Sequence, residues 1–105
     1  MMDQNTPVKL LMSWDILPEH EQDYFEFVIR DFIPNVQRMG CELTDAWATV
    51  YGAQPQILVG AVVPNLNRAR QLLSSVEWIE LNTKLRSFVQ NYSEKIVKAA
   101  NGFQL

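Results

Sequence analysis

Residues that usually build catalytic and metal sites are scarce in this sequence. Its 105 residues include one histidine, His20, and one cysteine, Cys41. A single histidine excludes an HExxH zinc pair and a two-histidine, one-carboxylate triad within one chain. A single cysteine excludes an internal disulfide and favours a cytoplasmic location. The sequence therefore predicts no metal site and no cofactor.

Excess positive charge and long apolar runs are also missing. Nine Lys and Arg against twelve Asp and Glu leave a net charge of −3, which argues against a nucleic-acid partner. No apolar run approaches the roughly 20 residues that span a bilayer, and the N-terminus does not resemble a signal peptide. The hydrophobic fraction of 48% is that of a globular chain. We expect a loose N-terminus over residues 1–7 and a single domain over residues 8–105, with no membrane partner.

Two early segments have clear periodicity. Val8–Leu17 alternates with period two, which predicts a strand whose apolar face meets helices. Glu19–Met39 has helical spacing, and Pro34 should kink or split that helix near Ile33. The apolar face of the strand is Leu10, Met12, Trp14 and Ile16, and the predicted stripe of the helix is Phe25, Val28, Ile29, Phe32, Val36 and Met39.

A hairpin follows. Cys41–Tyr51 and Ile57–Val63 are the predicted strands, and Gly52–Gln56 is a turn by composition. The inward face of the first of these strands is ambiguous. One set is Leu43, Asp45, Trp47, Thr49 and Tyr51, and the other is Glu42, Thr44, Ala46, Ala48 and Val50.

The last third of the chain predicts helices. Asn65 can cap a short helix over Leu66–Leu73. Ser74–Ala100 contains neither Gly nor Pro, has an apolar stripe, and opens with a Ser74–Glu77 capping box, which predicts one long helix. Residues 101–105 could add a short strand.

This order predicts an α+β fold of the ferredoxin-like plan, βαββα(β), with helices on one face of an antiparallel sheet. Three strands and a stub leave an open edge. The second sheet face, which carries Lys9, Leu11, Ser13 and Asp15, mixes apolar and polar residues. A homodimer through this sheet face and edge would cover both.

Aromatic residues with polar tips are the strongest functional signal. For each one, core packing is the more common role. Together they predict a pocket for a small aromatic ligand, lined by Trp14, Tyr24, Trp47, Tyr51 and Trp78. His20 and Tyr24 are the weak candidates for catalytic residues, because each can move a proton.

Several of these positions carry a family resemblance. They are Trp14, Tyr24, Gly40, Tyr51-Gly52, Pro55-Gln56-Ile57 and Glu77-Trp78. In this arrangement the chain resembles the dimeric α+β-barrel superfamily, and most of all its NIPSNAP-like branch. The resemblance implies a homodimer whose two sheets close into a barrel, with a pocket between each sheet and its helices.

Two functions remain open from the sequence. One is a non-enzymatic dimeric protein that binds a small apolar or aromatic molecule between sheet and helices. The other, implied by enzymes among the relatives, is a cofactor-free monooxygenase acting on an aromatic phenol or quinol. Fold analogy alone does not choose between them.

Overall fold

A computed structural model describes residues 6–49 and 56–99. The elements are β1 (Val8–Ile16), α1 (Glu21–Phe27), a π-helical turn (Val28–Phe32), α2 (Ile33–Arg38), β2 (Glu42–Ala48), β3 (Ile57–Val63), α3 (Leu66–Ser74), α4 (Val76–Arg86) and β4 (Val89–Lys98). The strands form one antiparallel sheet in the order β2-β3-β1-β4. The predicted α+β, ferredoxin-like fold is confirmed, and no helix within these residues is long and apolar enough to cross a membrane.

Strand β1 is central, and its inner face forms the middle of the core. It pairs with β3 on one side and β4 on the other. The inward residues predicted from the alternation are all buried: Leu10, Met12, Trp14 and Ile16. Helical residues such as Phe32 and Leu85 belong to the same hydrophobic cluster, so the helices cover this face.

The predicted helix over Ser74–Ala100 is wrong in its second half. Helix α4 ends at Arg86, and Val89–Lys98 is a full edge strand paired with β1. The sheet therefore has four strands and is not short of one. The alternative fourth strand over residues 101–105 lies outside the described residues.

A register shift explains why β4 has the pattern of a helix. Asn91, at φ 57°, is an extra residue in β4, because Ser13 pairs with Ser93 while Asp15 pairs with Gln90. The inward positions of β4 are consequently Val89, Tyr92, Glu94, Ile96 and Lys98. The apolar residues among them, Val89, Tyr92 and Ile96, are three and four positions apart. That spacing is the helical one. Pairing with β1 overrides the local preference.

The helix caps are partly as predicted. The Asn65 side chain accepts from the Arg68 backbone N–H at 2.8 Å, which confirms the cap of α3. The predicted Ser74–Glu77 box is wrong by one residue. Ser75 is the cap of α4 and accepts from the Trp78 backbone N–H at 3.2 Å, while Ser74 is the last residue of α3.

The first helical region changes type before Pro34. Pro34 lacks a backbone N–H, and the π-helical turn ends two residues earlier, at Phe32. The wider turn places Phe27 and Phe32, five residues apart, on the buried side. The predicted stripe is therefore wrong at Phe25 and Ile29, which are 50% and 66% exposed. Gly40, at φ +95°, ends the region as expected.

The β2–β3 hairpin forms as predicted, and a register shift decides which side chains of β2 face inward. Leu43 pairs with Ala61, whereas Asp45 pairs with Gly60, so Thr44 is an extra residue. Leu43 therefore faces inward together with Ala46 and Ala48, one from each of the two alternating sets. Val50, Tyr51 and residues 52–55 lie outside the described residues.

Candidate functional site

A cavity of about 250 Å³ lies between the β2 side of the sheet and the first helical region. Asp45 is the only charged residue that lines it within residues 6–49 and 56–99. The lining residues are Trp14, Tyr24, Val28, Phe32, Ile33, Leu43, Asp45, Ala46, Trp47, Ala48, Ile57 and Val59. The site is thus predominantly apolar and aromatic, as small-molecule sites usually are.

The floor of the cavity is a row across three strands. The sheet register places Ala48 opposite Ile57, and Ile57 opposite Trp14. Side chains in such a row point to the same sheet face. The row begins at an exposed alanine on β2 and ends at a tryptophan that is 1% exposed. The small side chain of Ala48 leaves space beneath the helix, and the cavity deepens toward Trp14.

Trp14 and Tyr24 form a buried polar pair at the deep end. The indole N–H of Trp14 donates to the hydroxyl of Tyr24 at 3.0 Å. Their rings meet edge to face with centroids 6.5 Å apart, and Phe32 meets Trp14 in the same way at 6.0 Å. Edge-to-face contacts of this kind hold aromatic rings in fixed orientations. The deep wall is therefore rigid.

Tyr24 is held in its neutral form. Burial raises the pKa of its phenol above the ordinary value, and the hydrogen bond from Trp14 offsets this only in part. A neutral phenol keeps its proton and acts as a hydrogen-bond donor. Tyr24 is therefore suited to orienting a ligand and poorly suited to acting as a base at neutral pH.

The other side of Trp14 is closed by a second tyrosine. Tyr92 stacks on Trp14 at 6.0 Å with an interplanar angle of 8°, and Arg86 lies over its ring at 4.3 Å. The Tyr92 hydroxyl accepts from the Asn82 amide and donates to Glu94, each at 2.8 Å. Burial and Glu94 raise its pKa. The Tyr92 hydroxyl therefore already accepts one hydrogen bond and donates another within the protein. This side of Trp14 serves the packing of the core.

Asp45 borders the cavity but is committed to an ion pair on the opposite sheet face, the one that carries Lys9 and Leu11. Lys9 Nζ lies 2.7 Å from Asp45 Oδ2, and both side chains are largely buried. Gly60 permits this pair, because a Cβ there would lie 2.6 Å from the same carboxylate oxygen. Among the residues described, the one charge that borders the cavity is thus already paired with Lys9.

The predicted ligand-binding residues divide into four groups. Trp14 and Tyr24 line the cavity together; Trp47 borders it from β2, but its side chain lies on the other sheet face, in register with Leu58. Trp78 is buried against Phe32, with ring centroids 6.4 Å apart, and is not a lining residue. Tyr51 lies outside the described residues.

His20 lies apart from the cavity. It is exposed, it occupies the position before α1, and its side chain makes no capping hydrogen bond. The two weak catalytic candidates, His20 and Tyr24, are joined through the backbone, where the Tyr24 N–H donates to the His20 carbonyl at 2.9 Å, but only Tyr24 lines the cavity. Cys41 is buried, which raises its pKa and disfavours the reactive thiolate.

Sequence reasoning missed the residues that make the space. Ala46 and Ala48 create the opening, while Val28 and Ile33 contribute to the helical wall. The available signal was the small, apolar inner set of the β2 alternation. It was ambiguous because the extra residue at Thr44 divides that set.

Comparison with solved structures identifies the fold. A NIPSNAP family protein of unknown function from Agrobacterium tumefaciens superposes with a TM-score of 0.68 at 17% identity, covering 98% of this chain and 96% of that one. The chain has the fold of the NIPSNAP family proteins. The resemblance read from the sequence is confirmed at the level of the fold.

Further solved structures have a similar fold. An uncharacterized NIPSNAP-like domain protein from Burkholderia xenovorans gives a TM-score of 0.62 at 19% identity, covering 98% and 92% of the two chains. A protein of unknown function from Rhodopseudomonas palustris gives 0.67 at 14% identity, covering 94% and 86%. No protein-family model matches the sequence, and no curated protein matches it. These structural similarities show the fold and do not assign an activity.

Proposed function

We propose that this protein binds a small apolar or aromatic molecule in the cavity between β2 and the first helical region. The observation that carries the proposal is the cavity itself, with aromatic rings at its deep end and two alanines at its β2 side. Trp14 and Tyr24 supply a rigid aromatic wall with a single polar feature. Such a lining favours a planar ligand with few polar groups.

The size of the cavity limits the ligand. An apolar cavity of about 150 Å³ binds benzene, and drug-sized ligands occupy about 300–1,000 Å³. At about 250 Å³, this cavity suits a ligand of one or two rings. Flavins and haem exceed that size.

We infer in addition that the protein is a homodimer through the outer face of its sheet. With four strands present, the missing-strand argument no longer applies, and the mixed sheet face alone supports the dimer. Leu58, Val62 and Val97 are only half-buried on this face, beside Leu11. A second copy would cover them. The cytoplasmic location stays a prediction from the single cysteine.

The alternative function, a cofactor-free monooxygenase acting on a phenol or quinol, has no supporting observation. Forming a substrate anion needs a base in reach of the ligand. Tyr24 is a neutral donor, and His20 does not line the cavity. The comparisons carry no enzymatic activity to this chain.

The binding test follows the three tryptophan indole N–H resonances while indane, a two-ring hydrocarbon, is added. We expect a saturable shift for Trp14, whose side chain lines the cavity, and much smaller shifts for Trp47, whose side chain lies on the other sheet face, and for Trp78, which does not line the cavity. Ala48→Phe should fill the opening and weaken binding at least about tenfold, because the ligand and the new ring compete for the same volume.

Thr83→Phe is the matched control, since Thr83 is exposed on α4 and does not line the cavity. It should leave the affinity unchanged. Equal affinity of the wild type and the Ala48→Phe variant, or no saturable shift at all, would contradict the proposal.

A further inference from the structure

The neighbouring Trp14 decides whether the Tyr24 hydroxyl can donate to a ligand or accept from it. An indole N–H can only donate, so the 3.0 Å contact with Trp14 uses the accepting side of the Tyr24 oxygen. Tyr24 is 3% exposed, and its hydroxyl makes no second hydrogen bond with residues 6–49 or 56–99. Its O–H is thus a buried donor without an acceptor among those residues, at the wall of a cavity. Buried donors are seldom left in this state.

We propose that the cavity selects aromatic ligands that carry one hydrogen-bond acceptor, such as an aryl ketone, and that the Tyr24 hydroxyl donates to it. This inference rests on the proposed ligand-binding function and names the chemistry of the ligand. An acceptor beside Tyr24 completes a chain of hydrogen bonds. In it the Trp14 N–H donates to the Tyr24 oxygen, and the Tyr24 O–H donates to the ligand oxygen. Each donor in that chain has one acceptor, so no buried polar group remains unpaired.

Ligands that only donate find no matching partner at Tyr24. The accepting side of the Tyr24 oxygen is already used by Trp14. The Asp45 side chain lies on the other sheet face, in the row of Leu11 and Gly60, where its Oδ2 accepts from Lys9 at 2.7 Å and from the Thr44 hydroxyl at 3.2 Å. Anionic ligands are disfavoured as well, because the lining offers an apolar surface and no unpaired cation within the described residues.

Tyr92 provides a matched comparison within the same protein. It also contacts the Trp14 ring, but its hydroxyl accepts from Asn82 and donates to Glu94. It does not line the cavity. Removing the Tyr92 hydroxyl therefore tests for general effects of losing a phenol beside Trp14, without touching the proposed ligand contact.

The experiment measures dissociation constants of indane, 1-indanone and indole by calorimetry for the wild type, Tyr24→Phe and Tyr92→Phe. These probes have similar shapes and offer no polar group, one acceptor and one donor, respectively. Ratios of constants are compared between proteins, so differences in ligand hydration cancel. Tyr24→Phe should reduce the preference for 1-indanone over indane by about three- to tenfold. The ratio of indole to indane should change less than about twofold, and Tyr92→Phe should alter neither ratio.

Three results would overturn the inference. The first is an unchanged indanone preference in Tyr24→Phe, and the second is an equal loss for indole. In both cases indane still binds, so ligand binding survives while acceptor selection fails. The third is absence of binding by all three probes to the wild type, which removes the proposed function and this inference with it.

Trp14→Phe provides a second route if Tyr24→Phe does not fold. Removing the indole N–H frees the Tyr24 oxygen to accept, so indole should gain affinity relative to indane by about threefold or more. If indole gains no affinity in a folded Trp14→Phe protein, the inference that Trp14 restricts the Tyr24 hydroxyl to donating is contradicted.

Discussion

The two faces of the sheet are covered in different ways. The inner face of β1 packs under helices, and Met12 and Trp14 are at most 1% exposed. Within the described part of the chain the outer face has no helix over it, and its side chains cover one another. Leu11 is 7% exposed there, beside the Lys9–Asp45 ion pair.

The difference shows where this protein can bind something. The inner face is closed wherever large side chains meet, as around Tyr92, and opens only at the alanines of β2. The outer face is partly apolar and lacks a cover from residues 6–49 and 56–99. A small molecule therefore fits the inner face, and a second protein surface fits the outer one.

The largest expected effect comes from breaking the inner face at its centre. Trp14→Ala removes the ring that contacts Tyr24, Phe32 and Tyr92. We expect a loss of about 3–5 kcal/mol in the free energy of unfolding, measured by urea denaturation. Trp47→Ala, the same change at a residue 53% exposed, should cost less than about 1 kcal/mol. Similar costs for the two tryptophans would refute this contrast.

An intermediate effect is expected at the outer face. Leu58 is half-buried and lies opposite Ser13 and Trp47. Leu58→Glu would place an unpaired charge in the proposed dimer interface, and we expect the dimer to weaken by about 100-fold. Light scattering at micromolar concentration should give a dimer mass for the wild type and a monomer mass for the variant.

Thr83→Glu, an exposed change on α4, is the control and should remain dimeric. A monomeric wild type would remove the dimer proposal. A Leu58→Glu protein that stays dimeric would move the interface away from this sheet face.

The smallest effect concerns one carboxylate at the end of the outer face. Asp15 accepts from the Asn91 side chain at 2.9 Å and from the Gln56 backbone N–H at 2.7 Å, and these bonds lower its pKa. Because the folded-state pKa is lower, its stabilisation is complete above the unfolded value of about 3.9 and disappears as pH falls through the folded value. Asp15→Asn should cost about 0.5 kcal/mol at pH 7, since both hydrogen bonds are exposed to solvent.

The difference between the two proteins should shrink at pH values below about 4 in thermal unfolding. Asp31 is exposed and makes no side-chain hydrogen bond with the residues described, so Asp31→Asn should show no such trend. A constant Asp15→Asn difference across this range would contradict the role of the Asp15 charge.

Much of the fold could be predicted because its signals are local. The alternation of β1, the β-branched run of Ile57–Val63, the Asn65 cap and the stop at Gly40 each depend on near neighbours in the sequence. Two of the five predicted ligand-binding residues, Trp14 and Tyr24, line the cavity with their side chains, since aromatic residues with polar tips often lie at such walls.

The remaining features depend on contacts between distant segments. One extra residue at Asn91 and another at Thr44 change which side chains face inward along β4 and β2. The first made a strand look like a helix, and the second hid the alanines that open the cavity. A π-helical turn shifted the buried side of the first helical region in the same way.

The sequence alone determined the α+β class, the central strand with its apolar face, and the lack of a metal-binding motif, because each follows from residue type and short-range spacing. The tertiary structure decided which residues face inward in three elements, β4, β2 and the first helical region, and so decided where the cavity forms. The physical reason is that a single extra residue barely changes the sequence pattern but moves every side chain beyond it to the opposite face. Only the pairing with β1 and β3 selects where that residue lies.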